Sequence, residues 1–455
     1  MSPAQWIQQH QVVLLEELKA FLRFPSISAQ PAYRESLYQT AHWLTSKLQE
    51  LGFAVELLGD PPVVHAWQAG PEGAPTLLFY GHYDVQPPEP LELWHSHPYE
   101  PRIEAGAIYA SGASDDKGQV FAHLAAWRYW KETQGTLPVS LHVVIEGQEE
   151  TGSETLYQVL SRVNGIWESD AIVVSDTAFF SAEVPTLTVG LRGLIYTEIE
   201  VTGPVRDLHS GSFGGVVENP IMALCRILTT LKGPDGRIHI PGFYEEVLPP
   251  RHQERLSWAK VGSLEEHYQQ LTGAPALYGE AGFTPLERIG VRPTLEINGI
   301  WGGYTGVGSK TVLPSKAFAK VSMRLVPRQD PYKIWASFRD YIYEICPPHV
   351  EVKVRLLHEP APAFETPTES PFYQAAEQAI ERAFGKGPLP LREGGSIPVL
   401  SALQKAAGGA PVVLMGFGLP DDCVHSPNER FRLEHLWKGI EAASLFYELA
   451  AQVSS

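Results

Sequence analysis

The chain has 455 residues, with 35 Lys and Arg against 52 Asp and Glu, a formal net charge of −17, and 44% hydrophobic against 19% charged residues. That length suits two or three domains, and the balance of apolar and charged residues excludes wholesale disorder. An acidic surface repels phosphate backbones and anionic lipid, which excludes nucleic acid and membranes as default partners.

From Met1 to Phe24 apolar residues recur every three or four positions, without a basic start or a long apolar run. This pattern predicts an amphipathic helix over 4–23 instead of a signal peptide, and a second helix follows over 36–51. No run approaches the roughly 18 apolar residues that span a bilayer. Short β-branched runs at Thr76–Tyr80, Val139–Ile145, Ala171–Val174 and Val412–Met415 read as buried strands. Helical periodicity lies between them at Gly118–Glu132 and Glu154–Arg162. Alternating strands and helices predict an α/β layer with a mostly parallel sheet flanked by helices. Three of the strands run straight into polar residues: His82 and Asp84, Glu149 and Glu150, and Asp176. Ligands of open α/β sheets bind beyond the carboxyl ends of the strands, so these residues are directed at one crevice.

The texture changes near residue 186. Leu187–Val201 alternates apolar and polar residues and reads as one long strand with an exposed edge. A helix at Ile221–Leu231, strands at Thr294–Ile297 and Ala317–Leu325, a helix at Tyr332–Ile345 and a strand at Val350–Leu356 suggest a small α+β sandwich. Residues 232–290 are rich in Pro and Gly and read as loops and short helices. The α/β texture returns after Pro371 and ends in a helix over Leu433–Ala451. The expected organisation is a catalytic domain of residues 1–186 and 381–455, interrupted by an inserted domain over 187–380. Cys225, Cys346 and Cys423 are widely spaced and odd in number. They define neither a disulfide framework nor a zinc finger, and they fit a reducing, cytoplasmic location.

Five clusters carry metal-ligand residue types: His82 with Asp84, Asp115 with Asp116, Glu149 with Glu150, Asp176, and His425. Each alone has an ordinary explanation. Asp176 could cap a helix, Glu149-Glu150 could start one, and Asp115–Gly118 could be a turn. Together, two imidazoles and three carboxylates suit two zinc-like ions with one carboxylate bridging. Asp84 lies on the same side of an extended segment as His82 and can accept its second ring N–H. Of two adjacent glutamates, one can ligate metal while the other stays free as a general base for water.

The ordered series GHYDVQPP (81–88), SDDKG (114–118), EGQEETGS (146–153), Ser175-Asp176, RDLHSG (206–211), REGGSIP (392–398) and HSPNE (425–429) resembles the aminoacylase/carnosinase-type family of dinuclear metallopeptidases. GLRG (190–193), HSGSFGG (209–215) and RLVP (324–327) resemble its carnosinase and cytosolic nonspecific dipeptidase branch in particular. The resemblance covers essentially the whole chain. It implies a zinc-peptidase-like catalytic domain with an inserted lid and dimerisation domain. It also implies two divalent ions per subunit, zinc first, with manganese or cobalt as substitutes. His82 and Asp176 would hold one ion, Glu150 and His425 the other, and Asp115 would bridge. Asp84 would orient His82, and Glu149 would be the general base and later the proton donor. The Asp115–Asp116 peptide bond would be cis. His209 would reach across a homodimer into the partner's site to bind substrate and polarise the scissile carbonyl. Thr311, Arg324 and Ser396 would contact the substrate's terminal carboxylate or the transition-state oxygens.

The implied reaction is metal-dependent hydrolysis of dipeptides. The same ligands would serve an N-acyl-amino-acid deacylase, and the same fold could carry an inactive scaffold, a reading that the presence of Glu149 disfavours. Close relatives carry a substrate-contacting His just before the return to the catalytic domain. Here that stretch runs from His358 to Phe364, with Ala363 or Phe364 near the expected place, which leaves the side-chain preference open.

Overall fold

The apolar runs are strands, and their order explains how distant residues meet. The computed structural model describes residues 1–162 and 167–453. One sheet runs in the order Ala54–Leu58, Val63–Gln68, Ser140–Glu146, Thr76–His82, Ala171–Val174, Val412–Leu414 and Thr186–Leu191. The four strands from Ser140–Glu146 to Val412–Leu414 are mutually parallel, and the flanking pairings are antiparallel. Parallel strands buried on both faces need continuous apolar sequence, which these runs supply. Helices Pro3–Leu22, Lys117–Gln134, Pro371–Phe384 and Leu433–Ala450 contribute to the same core. Ser2 and Gln5 form a capping box at the first helix, at 3.3 and 3.1 Å. Phe79, Trp127, Val143, Phe446 and Tyr447 are completely buried. Each contributes roughly 1.5–3 kcal/mol through apolar burial. His123 is held in this core between the Tyr447 hydroxyl at 2.9 Å and Ser175 Oγ at 2.6 Å. Burial depresses its pKa to about 3, so it stays neutral and ties the Ser175–Asp176 turn to the core.

A second sheet is antiparallel, in the order Thr294–Gly302, Lys316–Leu325, Gly193–Thr202 and Glu351–Leu356. Ile195, Ile199 and Val201 pack with Leu224, Ile227, Phe338 and Ile342 from helices Pro220–Leu231 and Pro331–Ile345. The 232–290 stretch contains three short helices, His252–Trp258, Leu264–Thr272 and Pro285–Gly290.

Two expectations require correction. Leu187–Val201 is not one edge strand. It divides at Arg192, with Thr186–Leu191 in the first sheet and Gly193–Thr202 in the interior of the second. Alternation reports one buried face and says nothing about whether an edge is paired. Gly193 marks the division, because a Cβ there would collide with the carbonyl of Ala361. The boundaries also differ from 187 and 380. One compact unit comprises Met1–Val189, Thr366–Leu391 and Val399–Ser455, and the other Gly190–Glu365 and Arg392–Pro398. The helix Pro371–Phe384 belongs to the first unit because Tyr373, Ala376, Ala379 and Ile380 are buried in its core. Arg392 belongs to the second, where it pairs with Glu254 at 2.7 Å and Glu365 at 2.8 Å. Among the described residues, no helix is long and apolar enough to cross a membrane.

Candidate metal centre

The first unit brings together His82, Asp115, Glu150, Asp176 and His425. His82 ends its strand, and Glu150 and Asp176 follow the ends of its two parallel neighbours. Nε2 of His82 lies 3.0 Å from Asp115 Oδ1 and 3.9 Å from Asp176 Oδ2. Nε2 of His425 lies 2.9 Å from Asp115 Oδ2 and 3.1 Å from Glu150 Oε1. The ligand atoms of His82, Asp115 and Asp176 all lie within 4.8 Å of one another, as do those of Asp115, Glu150 and His425. Asp115 is common to both groups and turns one oxygen to each imidazole. Glu149 is in neither group.

Backbone amides fix this arrangement. Asp84 is fully buried, with Oδ1 3.3 Å from Nδ1 of His82. The same carboxylate accepts the amides of Glu149 at 3.2 Å and Glu150 at 3.1 Å. Asp84 thus holds the His82 ring and the turn carrying both glutamates, which is more than the ring contact expected from spacing alone. Gln86 Nε2 donates to Glu150 Oε2 at 2.8 Å. Asp116 accepts the amide of His82 at 3.2 Å. The Asp115–Asp116 peptide is cis. Gly118 has no alternative, since a Cβ would run into the carbonyl of Ala113.

The loop carrying His425 is braced as strongly. His425 and Asn428 have φ of 59° and 66°. Such left-handed conformations cost non-glycine residues of order 1–3 kcal/mol and persist where surroundings enforce them. Asp421 pairs with Arg430 at 2.6 Å and Arg432 at 2.7 Å. Asn428 accepts the amide of His95 and donates to the carbonyl of Leu93, both at 2.8 Å. Glu429 accepts three amides of the Asp115 loop, from Gly112 at 2.8 Å, Ser114 at 2.9 Å and Asp115 at 3.0 Å. Sequence reasoning assigned nothing to Gln86, Asn428 or Glu429, although each lies inside a motif already singled out.

The electrostatics test whether cations fit. Asp84, Asp115, Asp116, Glu149, Glu150 and Asp176 crowd around two imidazoles. Burial pushes the Glu149 carboxyl well above its ordinary range; His82 opposes this, while Asp176, Glu150 and Asp115 add to it. Burial would also raise Asp115, but hydrogen bonds from His425 and His82 outweigh it and hold that carboxyl below its usual range. The Asp115 and Glu150 carboxylates raise the pKa of His425. The cluster therefore demands positive charge, and its imidazole nitrogens and carboxylate oxygens are a donor set for divalent cations. Bound cations would invert this local titration behaviour.

The remaining expected residues lie in the second unit, in two pairs. His209 is paired in register with Val312, and the amide of Ser210 donates to the carbonyl of Thr311 at 3.1 Å. Arg324 donates to Ser396 Oγ at 2.7 Å. Ser396 in turn donates to the carbonyl of Arg192, whose Nε reaches Gly394 O at 3.1 Å. Burial lowers the pKa of Arg192 to about 10, with the Arg324 charge adding to the effect. Arg192 was missed as a neighbour of this pair, though it sits in the GLRG run. Phe364 is buried and pairs through its backbone with Leu191.

Known proteins are similar to this chain in sequence and fold. The Beta-Ala-His dipeptidase of Mus musculus is 31% identical, with 99% of this chain and 94% of that protein aligned. The Cys-Gly metallodipeptidase of Schizosaccharomyces pombe is 31% identical over 96% of this chain and 95% of its own. The crystal structure of human carnosine dipeptidase 1 matches with a TM-score of 0.89 and 29% identity, covering 99% of this chain and 98% of that one. The model for peptidase family M20/M25/M40 matches residues 78–448. The chain belongs to peptidase family M20/M25/M40.

Proposed function

We propose that this chain hydrolyses dipeptides with two divalent cations bound at the Asp115-centred cluster. The observation that carries the reading is the Asp115 carboxylate, which presents one oxygen to the His82 group and the other to the His425 group at 3.0 and 2.9 Å. The names of the mouse and fission-yeast relatives, a Beta-Ala-His dipeptidase and a Cys-Gly metallodipeptidase, support the substrate class. His82 and Asp176 would hold one ion, and Glu150 and His425 the other. Zinc suits the donors first, and manganese and cobalt are also accommodated by mixed imidazole and carboxylate ligands. Bound cations would supply Lewis acidity that activates water and polarises the scissile carbonyl.

The chain's own residues do the rest. Glu149 stands outside both ligand groups on a turn anchored by Asp84. It takes the water's proton and later returns it to the leaving amine. His209 supplies a donor to the developing oxyanion, delivered by the partner of a homodimer. Its local bonding supports this role. The amide of Gly211 donates to Nδ1 at 3.1 Å, so the neutral ring carries its proton on Nε2 and points a donor away from its own backbone. Thr311, Arg324 and Ser396 hold the terminal carboxylate. The homodimer would form along the edge strand Thr294–Gly302, where Ile297, Ile300 and Trp301 are 41%, 52% and 42% exposed. The free cysteines fit a reducing, cytoplasmic setting.

The test is a substrate panel run on protein reloaded with each cation in turn. Dipeptides with a free carboxyl terminus should be cleaved in preference to N-acyl amino acids. Preferential cleavage of the acyl amino acids would assign the chain to deacylation instead.

A further inference from the structure

Glu429 is 5% exposed and meets no cation within salt-bridge distance among the described residues. Its two carboxylate oxygens are instead spent on three amides. Oε1 accepts from Ser114 and Asp115 at 2.9 and 3.0 Å, and Oε2 accepts from Gly112 at 2.8 Å. Its own backbone is fixed as well, because its carbonyl accepts the amide of Ala110 at 3.1 Å and the following strand Arg430–Arg432 pairs with Ala107–Tyr109.

The neighbouring groups extend the same brace. Asp422 Oδ2 accepts Ser114 Oγ at 3.0 Å and the amide of Leu419 at 2.7 Å. Gln119 donates to the carbonyl of Ser114 at 3.0 Å and accepts the amide of Phe417 at 2.7 Å. Of these, only Glu429 reaches the amide of Asp115 itself, and it lies four positions after His425. Glu429 therefore ties the backbone of the residue that carries the shared carboxylate directly to the loop that presents the second imidazole, beside the Asp422 link to Ser114.

We propose that Glu429 is the positioning residue that holds Asp115 and His425 in register for a pair of divalent cations. The inference rests on the reading of those two residues as ligands. A carboxyl group suits this place because its two oxygens accept, and all three amide partners only donate. A glutamine of the same shape would turn an N–H₂ toward amide donors on one side and lose that acceptor. Groups that orient metal ligands typically change metal affinity by about 10–100-fold when removed.

The test uses the full chain stripped of metal and titrated with Co²⁺, followed by calorimetry and by the visible absorption of the bound ion. The native chain should bind two equivalents. Glu429→Gln, folded by circular dichroism, should bind one of them about 10–100-fold more weakly, with an altered visible spectrum that a purely structural lesion would not produce. Glu429→Asp, which keeps the charge but withdraws it, should fall between the two. Affinities and spectra equal to native in either folded variant would overturn the proposal. Failure of both variants to fold would also overturn it, by assigning Glu429 to the fold alone. A native chain that binds no Co²⁺ would instead remove the ligand assignment on which the inference stands, and no substrate is needed to tell these outcomes apart.

Discussion

At the scale of single residues, the proposed division of labour between Glu149 and Glu150 makes the sharpest chemical prediction. Glu150 lies 3.1 Å from His425 and is oriented by Gln86, whereas Glu149 belongs to neither ligand group. Glu149→Ala should therefore keep its bound metal while kcat falls by about 10²-fold or more. Metal analysis of the purified variant beside its turnover decides the matter, and loss of bound metal from Glu149→Ala, with turnover recovering as a divalent cation is added in excess, would exchange the two roles. These residue types were legible because imidazoles and paired carboxylates at strand ends are a recognisable donor set. Asp84 was legible only in part, and Glu429 not at all. Their main partners are the amides of residues 149 and 150, and of 112, 114 and 115, and a backbone amide leaves no trace in residue type.

Among the elements, parallel strands did most to make the site readable. His82, Glu150 and Asp176 follow three adjacent parallel strands, so apolar runs followed by polar residues were enough to place them at one end of the sheet. The pattern of Leu187–Val201 was misread as an edge because alternation reflects burial of one face. The free edges of the second sheet are Thr294–Gly302 and Glu351–Leu356. Exposed edges of this kind are usually covered or paired. Ile300→Lys, a charge placed on the exposed edge at a half-exposed position, should convert the proposed dimer to a monomer without loss of secondary structure. Light scattering at micromolar concentration checks this, and a dimer that survives the substitution would put the interface elsewhere.

For the molecule as a whole, the order of seven short motifs carried the family, and the fold follows it. The unit boundaries did not show in composition, because the helix Pro371–Phe384 is amphipathic like its neighbours and only its packing reveals which core it joins. A His209 donated across the proposed homodimer would make the assembly part of the chemistry. His209→Ala should bind metal normally and lose roughly 10²–10³-fold in kcat, the scale of one lost oxyanion donor. Mixed dimers of His209→Ala with Glu149→Ala should regain about half the activity of native dimers, since both lesions fall in one composite site and leave the other whole. Mixed dimers verified by two affinity tags that stay inactive would confine His209 to its own subunit. The claim underlying all of this is that hydrolysis depends on two cations at the Asp115-centred cluster. Its most direct test is to strip the protein with a chelator and follow dipeptide hydrolysis while a divalent cation is titrated back. Hydrolysis should be absent at the start and should reach its plateau only as the second equivalent per chain binds; undiminished hydrolysis by the stripped protein, or a plateau with one ion bound, would contradict it.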